Sequence, residues 1–234
     1  MAQTNQKVKT VLNSPKLRLV APCPTAKGKW SHLSFDIYMN NPRIVVATND
    51  PSMMSPEKGF GRIQAALDMP TFYAFIELLT MAINSKEATK SKIENFGHQK
   101  GGDPKVPTLL TDLWVGRDDA GLIFISAISK QDGWPVIKFT FGPADERYHK
   151  FYHGDGSEFS KAERSNVYAR AYAKMLSEAM GNLMVSHYVE PPPYVPNKGG
   201  GNWNKGNSSG GYQKPSTYVD NSSDDSSGDD GIPF

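Results

Sequence analysis

The chain has 234 residues, 38% of them hydrophobic, which is enough for one sizeable buried domain and a tail. A formal charge of +2 hides an asymmetry: residues 191–234 hold three lysines against five aspartates, a net of −2, which leaves +4 on the rest. A basic body with an acidic tail suits a polyanion binder, and the single cysteine, Cys23, excludes an internal disulfide and an all-cysteine metal site. One cysteine, no apolar run of membrane-spanning length and a polar Met1-Ala2-Gln3 start without a secretory signal predict a cytoplasmic protein with no membrane association.

Residues 1–15 are polar and are expected to form a flexible arm, with Lys7 and Lys9 free to touch phosphate. Residues 16–22 alternate enough to be a strand. Residues 30–39 are the clearest strand: Leu33, Phe35, Ile37 and Met39 point one way, and Trp30, His32, Ser34, Asp36 and Tyr38 the other. Asn40-Asn41-Pro42 reads as a turn, and residues 43–48 return as a β-branched strand. Residues 49–60 read as a mobile loop and 61–67 as a fourth strand. Asp68 is placed to cap a helix with Pro70 in its first turn, and Phe72, Phe75, Ile76, Leu79 and Ile83 recur at helical spacing as core.

The same order then repeats. Strands are expected at 90–98, 110–117, 122–130 and 135–142, the last three joined by turns at 118–121 and 131–133. Ser160 with Glu163 makes a capping box for a second helix to about residue 187, with Tyr168, Tyr172, Met175, Ala179 and Leu183 along one side. No residue-level repeat accompanies this doubled pattern. The fold expected is α+β, antiparallel sheets backed by two helices in tandem β4α order, with a decorated OB barrel as the alternative.

Glu190-Pro191-Pro192-Pro193 stops the second helix, so the folded domain is taken as 16–190 and an extended linker as 191–228. That linker is rich in Pro, Gly, Asn and Ser, interleaves Trp203, Tyr212 and Tyr218 with three lysines, and is expected to be disordered. Residues 229–234 read Asp-Asp-Gly-Ile-Pro-Phe. Two aspartates, an apolar triplet and a terminal carboxylate make a short linear ligand. Ile232 and Phe234 would enter an apolar pocket, Pro233 would limit the conformations to be frozen, and Asp229 and Asp230 would meet a basic rim.

This end resembles the C-terminal tip of bacterial single-stranded DNA-binding proteins, an acidic run finishing in Ile-Pro-Phe. Gly231 stands where that family usually has another acidic residue, which is expected to weaken the electrostatic part of partner binding. The resemblance implies a protein of a bacterium or a phage that coats single-stranded DNA in replication, recombination or repair and recruits host or phage replication and repair proteins through the tip. The β4α order, with Phe35-Asp36-Ile37-Tyr38-Met39-Asn40-Asn41 followed by Arg43-Ile44, is similar to the whirly and Pur-alpha type of nucleic-acid-binding proteins. Arg62 leading into the Phe72 helix fits the end of such a repeat.

Binding of single strands without sequence preference needs stacking platforms beside cations. Trp30, His32 and Tyr38 on one strand face, next to Lys27 and Lys29, supply both. Arg43, Arg62, Trp114, Arg117, Trp134 and Lys138 lie on strands or turns that are able to share a sheet with them. Trp114 capping the core and Trp134 stapling a hairpin are the competing readings, and Phe124, Phe139 and Phe141 are expected in the core. His149, His153 and Asp155 are close in sequence, but no zincin helix motif, nucleophile elbow or paired metal carboxylates accompany them, so no enzyme, metal or cofactor is expected. An adaptor of the replication machinery that never touches DNA and an RNA-binding protein are the alternatives. Assembly into a homo-oligomer is left open.

Overall fold

A computed structural model describes residues 10–97, 106–143 and 148–190. Its elements run β1 (Leu19–Pro22), β2 (Trp30–Tyr38), β3 (Asn41–Ala47), β4 (Arg62–Ala66), α1 (Met69–Asn84), β5 (Thr89–Gly97), β6 (Thr108–Arg117), β7 (Ile123–Ser129), β8 (Phe139–Thr140) and α2 (Lys161–Ser186). Four strands and a helix occur twice. The strands form two antiparallel sheets ordered β1-β2-β3-β4 and β5-β6-β7-β8, and no closed barrel forms among the described residues. The protein is thus α+β in tandem β4α order.

Alternation explains the first sheet. Leu33, Phe35 and Ile37 of β2, Ile44 and Val46 of β3, and Ile63 and Ala65 of β4 are buried on its inner face. They join Phe72, Phe75, Ile76, Leu79 and Ile83 of α1 in one core with Leu113 and Val115 of β6 and Ile123 and Ile125 of β7. Asp68 caps α1 by accepting from the Thr71 N–H at 2.7 Å, with Pro70 in the first turn. The Ser160 and Glu163 capping box opens α2 as expected. The face of α2 that is fully buried is Ala169, Ala173, Leu176 and Met180, whose small residues let the helix sit close to the sheet. Tyr168, Tyr172, Met175, Ala179 and Leu183 pack beside that stripe and are only partly covered.

Several boundaries differ from expectation for local reasons. The β2–β3 turn is Met39-Asn40, both at positive φ, the geometry of a two-residue type I′ hairpin. Met39 therefore leaves the core row, and Asn41 and Pro42 begin β3. The Asn40 amide donates to the Val189 carbonyl and accepts from the Val189 N–H, tying this turn to the chain after α2. Residues 10–15 belong to the fold rather than to a loose arm: Thr10 caps a short 3-10 turn, Val11–Asn13, that buries Leu12 against the core. Residues 49–61 hold two further 3-10 turns, and Asp50 caps the first while Met53 is buried.

The expected strand at 135–142 pairs only over Phe139 and Thr140, because Pro135 has no N–H and the Ser126 hydroxyl takes the Ile137 carbonyl at 2.6 Å. The two sheets meet along β4. The Thr111 hydroxyl donates to the Gln64 carbonyl at 3.1 Å and the Asn95 amide to that of Ala66 at 2.7 Å, so side chains of the second sheet satisfy an edge of the first. At Gly116 a Cβ would stand 2.2 Å from the Thr89 carbonyl oxygen, so only glycine allows β5 and β6 their present separation there. No helix among the described residues is long and apolar enough to cross a membrane.

Candidate nucleic-acid interface

The outer face of the first sheet follows from its register. Pro22 lies beside Trp30; Val20, His32, Ala47 and Arg62 form one row; Ser34, Val45 and Gln64 the next; then Asp36, Arg43 and Ala66; then Tyr38 and Asn41. Arg18 directly precedes β1 in extended conformation and shares the side of Val20, opposite the buried Leu19 and Ala21. Trp30, His32, Tyr38, Arg43 and Arg62 are thus brought together on one surface. Lys27 and Lys29 are exposed in the turn that delivers the chain into Trp30, closed by the Cys23 N–H donating to the Lys29 carbonyl at 2.9 Å.

These residues are not equivalent. Trp30 is 59% exposed. Arg43 is committed: its Nε lies 2.9 Å from Oδ1 of Asp36, which is only 1% exposed, and its Nη1 donates to Gln64 at 3.1 Å. Its guanidinium lies 4.3 Å from the Tyr38 ring centroid, covering one face of that ring. Arg62 and Arg18 form no ion pair among the described residues. His32 is half-buried, and desolvation, followed by the positive charges of Arg18 and Arg62, holds its pKa below the ordinary imidazole value.

Trp114, Arg117 and Lys138 are not on this sheet. The expectation that they share it with Trp30 fails because β6 to β8 pair only with one another and β5. The outer face of the second sheet carries Lys90, Gly116 and Phe124 in one row and Lys92, Trp114 and Ser126 in the next. Lys92 lies 5.8 Å from the Trp114 centroid but pairs with Glu94; Lys130 pairs with Asp112 and Lys138 with Asp118. Three of the four lysines on or beside this face are therefore neutralised by a carboxylate, whereas Arg18 and Arg62 of the first sheet have no carboxylate partner among the described residues. Phe124, expected in the core, is buried on this outer side, against Gly116 and 5.5 Å from the Lys138 ammonium.

Arg117 points the other way. Its guanidinium donates to the Ala82 and Ile83 carbonyls at the end of α1 and to that of Gly121, which makes it a helix C-terminal partner. Trp134 is half-buried against the core with its Nε1–H donating to Gln131 at 3.1 Å, the hairpin-stapling arrangement.

A groove of about 720 Å³ runs along the seam between β1 and β8 toward the start of α2. Trp30, Arg18, Lys16, Phe141, Tyr168 and Lys161 are among the residues that line it. Tyr172 forms part of its wall, its hydroxyl donating to the Leu17 carbonyl at 2.6 Å, and burial pushes that phenol far above its ordinary range. Sequence reasoning missed Arg18, Lys16 and Lys161. Alternation along 18–22 does place Arg18 on one side with Val20 and Pro22, but only the pairing of β1 with β2 shows that this side is also that of Trp30.

His149 is exposed, Asp155 accepts from the Ser157 N–H and hydroxyl, and His153 stacks on Phe159 with its Nε2 3.3 Å from Glu163. No group of three His, Cys, Asp or Glu side chains among the described residues is arranged to hold a metal ion. The linker at 191–228 and the tip at 229–234 lie outside the described residues. Comparison with protein-family models, with curated proteins and with solved structures returned no match.

Proposed function

We propose that this protein binds single-stranded DNA on the outer face of its first sheet and recruits replication or repair proteins through residues 229–234. The observation that carries the reading is Trp30, 59% exposed on a sheet face that also holds Arg62, with Arg18 at its edge, neither arginine having a carboxylate partner among the described residues. A large aromatic ring in water gains by covering a flat apolar surface. An unstacked base supplies that surface, and the phosphate on either side of it meets Arg18, Arg62 and the lysines of the turn. The groove continuing from Trp30 past Lys16 and Lys161 offers the rest of a strand path. The proposed role, in a bacterial host cell and encoded by the bacterium or by a phage, is to coat and protect exposed strands during replication, recombination or repair, without catalysis or a cofactor.

Oligo(dT) binding tests this. The full chain is expected to bind oligo(dT) with little base preference, with log K falling against log salt by about 0.7 per phosphate neutralised. Undetectable binding at low salt would leave the adaptor reading, and equal binding of single-stranded RNA and DNA would extend the function to RNA.

The tip is tested separately. Removing 229–234 is expected to abolish capture of replication and repair proteins while leaving oligo(dT) affinity unchanged or higher. A rise follows if the acidic segment, tethered to the basic body, competes at high effective concentration. Phe234→Ala should lose the partners and keep that competition, since Asp229 and Asp230 remain. Capture unaffected by Phe234→Ala would remove the recruitment half of the proposal.

A further inference from the structure

His32 sits in the row Val20, His32, Ala47, Arg62, and Arg18 lies one row along on the same face. Facing it are Arg18 from the lead-in to β1, Arg62 from β4, and the uncharged Ala47 of β3 and Asn49 of the segment that follows. The Asn49 amide nitrogen is 3.4 Å from Nδ1 of His32 and donates to the Trp30 carbonyl at 2.7 Å, so the ring and the exposed tryptophan are held together. Asp36, the carboxylate further along this face, is engaged by Arg43. One nitrogen of Arg18 donates to the Asn13 carbonyl at 3.4 Å, but its Nε is buried with no hydrogen-bond partner. Two guanidiniums therefore act on the imidazole from the face that carries Trp30, and none of the three groups has a carboxylate partner among the described residues.

We infer that Arg18, His32 and Arg62 form a phosphodiester site whose occupation draws a proton onto His32, linking strand binding to pH. The inference rests on the reading of the protein as a single-strand binder and adds to it a specific phosphate position and a regulator.

The sign follows from charge. In the free protein the burial of the ring and the two arginines favour neutral His32. A phosphate among the three groups offsets the repulsion from both arginines and attracts the imidazolium, so the bound state has the higher pKa. Between the two values binding takes up as much as one proton. Affinity then falls as pH rises across that window, with a slope in log K approaching about −1, and is level on either side. The lower edge is the depressed value of the free protein, so the window opens below the ordinary imidazole pKa and extends upward.

The experiment is oligo(dT) binding by the full chain at constant ionic strength from pH 5.5 to 7.5. The oligonucleotide carries a 5′-hydroxyl, so neither base nor phosphodiester titrates in that range. In parallel, the ring resonances of His32 are followed by NMR in the free protein, with oligo(dT), and with sulfate as a non-titrating anion. Binding is expected to be about three- to tenfold tighter at pH 5.5 than at 7.5. That dependence should flatten in His32→Gln, and the His32 titration should move to higher pH with either anion. Arg62→Gln, at an exposed position, should weaken binding at both pH values and reduce the NMR shift. If oligo(dT) binds but its pH dependence is the same in His32→Gln, or the native His32 titration does not move, the site inference is overturned and the binding function stands. If oligo(dT) does not bind at any pH while sulfate still moves the His32 titration, the binding function fails and the anion site survives.

Discussion

Phe35→Ala is expected to lower the unfolding free energy by about 3–5 kcal/mol, the cost of removing a buried aromatic ring and leaving a cavity. Phe35 is 1% exposed, and its ring centroid is 6.3 Å from those of Phe72 and Phe75 on α1 and 6.1 Å from that of Tyr172 on α2. One side chain thus joins the first sheet to both helices. Because total stability for such a domain is about 5–15 kcal/mol, the variant should show a large fall in urea midpoint. Its folded fraction should keep oligo(dT) affinity, since Phe35 lies on the opposite side of the sheet from Trp30. A variant of native stability would contradict the packing described.

Trp30→Ala should do the reverse. The side chain is largely in water, so folding is expected to be nearly intact, while affinity for oligo(dT) falls by about 1–3 kcal/mol, the range for one base–aromatic stack. That is about a 5- to 150-fold rise in Kd. Tyr38→Ala is expected to affect binding less, because Arg43 already covers one face of its ring and is itself held by Asp36. If Trp30→Ala unfolds the protein, the ring has a structural role that its exposure does not suggest.

The strands and helices were legible because their signals are local. Alternation along 30–38 separates Phe35 from Trp30, and Asp68 and Ser160 announce α1 and α2 through hydrogen bonds spanning three residues. The turn at Met39-Asn40 lies one residue before the Asn40-Asn41-Pro42 turn that the sequence suggests, since methionine at positive φ carries no turn signal and is held there by pairing on both sides and by the bond of Asn40 to Val189, 149 positions away. The composition of the site was only half legible for a related reason. A sequence shows which residues share a strand face, but not which strands are neighbours. Alternation alone therefore offers Trp114 and Lys138 for the surface of Trp30 and does not mark Arg18 as belonging to it. Arg117 shows the same limit: only the position of α1 reveals that its guanidinium is used on the Ala82 and Ile83 carbonyls. Ion pairing is equally invisible along the chain, yet it distinguishes Arg43 from Arg62.

The most direct test of single-strand binding on the first sheet is a competition at low salt between oligo(dT) and a duplex of equal length for the full chain and for Trp30→Ala. The account predicts that the wild-type chain prefers the single strand and that Trp30→Ala loses most of that preference, with its melting temperature nearly unchanged. Equal or tighter binding of the duplex by the wild-type chain, or a single-strand preference untouched in Trp30→Ala, would contradict it.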